Sequence, residues 1–94
     1  MRALQKTAFF LMMIGLERGR NVFALLDSDE IKNIAAAIDK LPALTIERQE
    51  EVRLEFVRRG YKEDMKAPEL LNIIRGLFSG GKICEQLEKK RFGK

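Results

Sequence analysis

The sequence predicts an all-α fold, a compact bundle of five to six short helices packed in the helical-repeat manner of armadillo-like superhelices. Three observations carry this. Leu, Ile, Ala, Glu, Lys and Arg dominate a chain with only two prolines and one tyrosine, a composition that favours helices. Apolar residues recur at i, i+3 and i+4, and no stretch alternates with period two, so nothing reads as a strand. The breaks between periodic runs are short and carry glycine, proline or a capping residue.

The first helix is expected from about Ala3 to Ile14, with Gly15 as a left-handed terminator. Its Ala8–Ile14 run, AFFLMMI, is apolar around the whole circumference. One neighbouring layer can hide Leu4, Ala8, Leu11 and Gly15, or else Phe9, Met13 and Leu16, but hardly both sets. Either the chain wraps this helix on all sides as a core helix, or one face is left for a partner. Lys6 and Glu17 bracket only ten residues, about half of a membrane span. The weakly basic start and the lack of a small-residue cleavage pattern also argue against a signal peptide.

A second helix, about Glu17 to Leu26, places Val22, Phe23, Leu25 and Leu26 inward and Arg18 and Arg20 outward. Gly19 inside it costs up to about 1 kcal/mol relative to alanine, which suggests close approach of the first helix. Asp27 and Glu30 form a D-x-x-E variant of the capping box at the start of the third helix. There Ile31, Ile34, Ala35, Ile38 and Leu41 mark one face, and Leu41-Pro42 ends it. Thr45 caps a fourth helix, about Ile46 to Gly60, with acids early and Arg58 and Arg59 late, as the helix dipole favours. Ile46, Leu54, Val57 and Tyr61 share one side and Val52 and Phe56 lie beside it, so two neighbours are expected. Pro68 opens a fifth helix to about Leu77, with Leu70, Ile73, Ile74 and Leu77 inward. After Ser79-Gly80-Gly81 a sixth is expected over Lys82 to Lys90. A 61-residue shift aligns Gly15-Leu16 with Gly76-Leu77, Gly19 with Gly80, Val22 with Ile83 and Leu26 with Leu87, an echo that suits a helical repeat.

With 94 residues, the chain is expected to form one domain over residues 1–94. It has no histidine and a single cysteine, Cys84, so zinc, haem and triad chemistry lack their groups and no internal disulfide forms. Neither an enzyme nor a cofactor site is expected. The net charge of +4 sits mainly at the two ends, with Asp27 to Lys40 acidic. Basic ends raise two further readings, a small helical nucleic-acid-binding domain and docking of the first helix on an anionic membrane surface. Against the former, no helix gathers Arg, Lys, Asn and Gln on one groove-reading face.

The order of these signals resembles one family. Lys6, Ala8, Leu11, Ile14-Gly15, Glu17-Arg18, Val22-Phe23, Leu26, Asp27, Glu30-Ile31, Glu50-Glu51-Val52 and Glu55-Phe56 are spaced as in the N-terminal domain of the flagellar motor switch protein FliG, from about Leu4 to about Glu88. The resemblance implies an all-helical, non-enzymatic interaction domain at the cytoplasmic face of the bacterial inner membrane. Its implied partner is the helical C-terminal tail of the MS-ring protein FliF, gripped so as to anchor the rotor. Self-association or helix exchange is a second expectation, and nucleic acid and small-molecule substrates are not expected as partners. The groove is expected to be lined by Phe9, Phe10, Met12, Met13, Val22, Phe23, Phe56 and Ile73. Gly19 departs from the alanine frequent in the family, and Phe9-Phe10 is bulkier than the usual aliphatic pair. The family's middle and C-terminal domains are not represented, so torque-generating residues are not assigned. The cytoplasmic domain of MgtE-type magnesium transporters is built on similar helices.

Overall fold

The computed structural model describes residues 2–84, in which five helices follow one another: α1 (Ala3–Met13), α2 (Leu16–Phe23), α3 (Ser28–Asp39), α4 (Ile46–Arg58) and α5 (Ala67–Arg75). No strand occurs among the described residues. The capping chemistry read from the sequence sets two of the starts. The Glu30 amide donates to Asp27 Oδ1 (2.8 Å) while the Asp27 amide donates to Glu30 Oε1 (3.1 Å), closing the box at α3. The Arg48 amide donates to Thr45 Oγ1 (3.2 Å) at α4. At α5, Pro68 lies in the first turn, and the Lys66 amide donates to the Glu69 carboxylate at 2.9 Å.

Helix α1 is the hub, packing against α3, α4 and α2. Because its apolar run has no polar side, three neighbours share it. Phe10 stacks on Phe56 of α4 with ring centroids 3.9 Å apart, and Tyr61 meets the same ring edge-on at 5.1 Å. Lys6 reaches Glu55 of α4 at 3.4 Å. On the α2 side, a Cβ at Gly19 would lie only 3.2 Å from the Leu11 carbonyl oxygen, which is the close approach expected of that glycine. Thr7 is fully buried, and its hydroxyl donates to the Ala3 carbonyl at 2.9 Å; among the described residues no buried side-chain nitrogen or oxygen is left without a partner.

Four expectations are corrected. Gly15 does not end α1 in the left-handed helical region. It has φ 99° and ψ 161°, a conformation essentially confined to glycine, and serves as the N-cap of α2. Val52 and Phe56 of α4, and Tyr61 beyond it, are buried, whereas Ile46, Leu54 and Val57 face solvent, so most of the side expected to meet a second neighbour is open. The 61-residue echo fails in conformation, since Gly15 has positive φ where Gly76 has φ −65°, and Gly80 has φ 87° where Gly19 is helical. Of the sixth helix, Lys82–Cys84 are not helical, and Glu85 to Lys90 lie outside the described residues. Ile83 instead is fully buried in the core, with its amide donating to Glu30 Oε2 (2.9 Å) and its carbonyl accepting from Asn33 Nδ2 (3.4 Å).

Candidate functional site

Helices α1 and α3 pack together, and each of two cavities is lined by residues of both. Toward the N-terminus of α1 the cavity is about 290 Å³ and mixed in character, with Arg2, Gln5, Asn33 and Lys40 beside Leu4, Ala36 and Ala37. Toward its C-terminus lies a larger trough of about 410 Å³. Leu11, Met12, Leu16, Phe23 and Ile38 line it, together with Gly15, Gly19 and the exposed Arg20. The glycines matter because they contribute no side chain, so the space between α1, α2 and α3 stays empty. Met12 is 48% exposed and Leu16 78%, although both are large and apolar. This is the surface that the apolar excess of α1 foreshadows, and it is narrower than the sequence alone suggests.

The eight residues expected to line a groove separate into two groups. Met12 and Phe23 line the trough. Phe9, Phe10, Val22 and Phe56 do not: all four are within 1% of complete burial, because α3, α4 and α2 close around α1 together, where one covering layer was reckoned with. They are core residues in this conformation. Met13 is half-buried beside a small pocket of about 100 Å³ that it shares with Phe10, Ile14, Arg18, Arg53, Tyr61 and Glu63. Ile73 is half-buried on α5, packed against the core. In turn the structure adds Leu16 and Ile38 to the trough. Leu16 was legible as the residue that an apolar helix leaves over after a glycine corner. Ile38 carried no such mark, since its place on the apolar face of α3 predicts burial.

The far end of α3 is polar and closed. Glu30 is fully buried, and Arg75 reaches it from α5 with Nη2 at 2.8 Å from Oε1 and Nε at 3.2 Å from Oε2. Together with the amides of Ile83 and Asp27, this surrounds the carboxylate with donors. Burial alone would raise its pKa, but the hydrogen bonds from Arg75, Ile83 and Asp27 outweigh that and hold it below the usual range. The same contact raises the Arg75 pKa. Lys82 adds exposed ion pairs to Asp27 (3.3 Å) and Asp29 (3.8 Å). No group of three or more His, Cys, Asp or Glu residues that could hold a metal ion occurs among the described residues.

The sequence pattern of the FliG N-terminal domain matches residues 1–81. The chain belongs to that family. Thus the trough, the Glu30–Arg75 pair and the five described helices fall inside the matched region of a FliG N-terminal domain, and Ile83 lies just beyond it. The family is that of a component of the flagellar motor switch. No curated protein and no solved structure matches the chain. Among the described residues no helix is long and apolar enough to cross a membrane.

Proposed function

We propose that this FliG-type domain is a non-enzymatic adaptor that captures a helix from the C-terminal cytoplasmic tail of the MS-ring protein FliF and so anchors the switch complex to the rotor at the inner membrane. The observation that carries the reading is the apolar trough beside α1. An amphipathic helix presents anchors at i, i+3, i+4 and i+7, and a groove that is apolar on its walls and open along its length suits such a ridge. Met12 sits at the lip, and an unbranched thioether side chain adapts to the shape of what it meets. Phe23 and Ile38 give the opposite wall rigidity. The exposed Arg20 favours an acidic residue on the polar shoulder of the incoming helix.

Titrating the isotope-labelled chain with a synthetic FliF tail peptide tests this. Shifts should concentrate on the Met12 methyl group and on Leu16, Phe23 and Ile38, and Met12→Lys should weaken binding at least about tenfold, equivalent to about 1.4 kcal/mol. A spectrum that stays unchanged at peptide concentrations of about 1 mM, where even a contact worth about 4 kcal/mol would register, would reject the reading.

A further inference from the structure

Three of the four methionines lie among the described residues, and their sulfurs stand in different surroundings. Met13 is half-buried beside the small pocket that it shares with Phe10 and Tyr61. Met65 is half-buried too, and its sulfur accepts the Lys62 amide at 3.3 Å, which engages a lone pair. Met12 is 48% exposed and lines the apolar trough. Thioether oxidation follows exposure, so an oxidant arriving from water meets Met12 first.

Oxidation changes what the trough offers. A sulfur lone pair attacks hydrogen peroxide, the S–O bond forms as the O–O bond breaks, and the second oxygen leaves as water with both protons. The sulfur gives up two electrons and the peroxide takes them. A flexible apolar side chain thereby becomes a polar one with a strong acceptor oxygen. In the open trough that oxygen stays hydrated, so the fold is left alone. A helix seated over it strips the water away, and among the described residues that line the trough only Arg20 carries a polar side chain. An acceptor desolvated without a donor is penalised. We infer that Met12 is an oxidation site that controls the trough: its sulfoxide, formed by a peroxide, blocks helix capture while the domain stays folded.

The inference rests on the capture reading above and adds its regulation. A seated helix covers the same sulfur, so empty copies are modified and occupied ones are shielded. The mark is erasable, since sulfoxide reductases, one for each epimer, return the oxygen as water with electrons from thiols. The other reactive sulfur, the exposed Cys84, lies away from the trough: it follows Ile83, which is bonded to Glu30 at the opposite end of α3 from Ile38.

Hydrogen peroxide applied to the Cys84→Ser chain, followed by mass-spectrometric peptide mapping, reads the site directly. Met12 should gain one oxygen ahead of Met13 and Met65, and FliF tail peptide at about ten times its Kd should slow that gain about tenfold. The oxidised chain should bind the peptide at least about tenfold more weakly, with unchanged circular dichroism and urea midpoint, and the paired reductases should restore binding. Met12→Leu, a volume-conserving exchange, should bind as the parent does and lose its response to peroxide. Earlier oxidation of Met13 or Met65 overturns the inference, as does an oxidised chain that binds undiminished or unfolds, or a Met12→Leu chain that peroxide still disables. A reduced chain that ignores the peptide rejects the capture reading itself and the inference with it, whereas binding that oxidation leaves intact rejects the inference alone.

Discussion

The N-terminal end of α3 is fastened by charge, and its C-terminal half borders open apolar space. At the first end a buried carboxylate gathers four donors from three separate parts of the chain: α5, the extended Ile83 and its own cap. At the second, Ile38 lines a trough of about 410 Å³ with Met12, Phe23 and two glycines. The difference teaches how a thin core is distributed in a small domain. Apolar side chains are spent around α1, where Ala8–Leu11 vanish from solvent, and the periphery is closed by polar contacts that need little volume. The apolar trough lies at the end of α3 that no charge network closes.

Breaking the charged end should have a large effect. Glu30→Ala leaves the Arg75 guanidinium and the Ile83 amide without their acceptor, and removing one partner of a buried pair costs about 3–5 kcal/mol. Arg75 is 35% exposed and can turn toward water, which places the expected loss near about 3 kcal/mol by urea denaturation. Arg75→Ala strands the carboxylate inside and should cost no less.

The same end makes stability depend on acid. Glu30 has a folded-state pKa below its ordinary 4.5, so its contribution is fully present above the unfolded value and is lost as pH falls through the folded one. Asp27, with the Glu30 amide bonded to it, and Glu55, with Arg59 and Lys6 beside it, are lowered as well and act with the same sign. Thermal melts should therefore show stability falling as pH drops below about 4.5, and Glu30→Gln should flatten that slope in part. An equal slope in wild type and variant would mean that the junction does not couple protonation to folding.

Gly15→Ala tests the trough end. Its φ of 99° and ψ of 161° lie where a side chain is strained at a cost of about 1–3 kcal/mol, yet a Cβ there would meet nothing within 4 Å. The loss should consequently be conformational, about 2 kcal/mol, with the contacts of the folded state unchanged. A substitution that proved neutral would show that the α1–α2 corner can turn another way.

Much of this was legible before any coordinates. Gly15, Asp27, Pro42, Thr45 and Pro68 fall at the observed breaks, and the Asp27–Glu30 box forms as the spacing foretells. The pairing of Glu30 with Arg75, forty-five residues away, has no local signature: each residue alone reads as an ordinary member of a helix end. The candidate groove was legible only in part for a related reason. In an amphipathic helix the sequence says which face is buried, but α1 is apolar all round, so its closed and open sides are decided by where α3, α4 and α2 land. Hence Met12 and Phe23 line the open trough, while Phe9, Phe10, Val22 and Phe56 lie in the core. On α4 the apolar pattern was plain, but pattern alone does not say whether a neighbour exists to cover Ile46, Leu54 and Val57.

The smallest stability effect is expected where the apolar residue matters least to folding. Met12 is half exposed at the lip of the trough, so replacing it by lysine removes little buried area and lets the new ammonium reach water along its own stem. Surface substitutions of this kind stay within about 0.5 kcal/mol, and the urea midpoint of Met12→Lys should move by no more than that implies. Phe10, two residues earlier on the same helix, stacks on Phe56 inside the core, and truncating it to alanine should cost about 3–5 kcal/mol. If Met12→Lys proved as damaging as Phe10→Ala, the trough would be part of the core, closed in solution by its own walls. If instead it left folding untouched and abolished capture of the tail helix, the apolar surface at this end of α3 would be shown to serve a partner and not the fold.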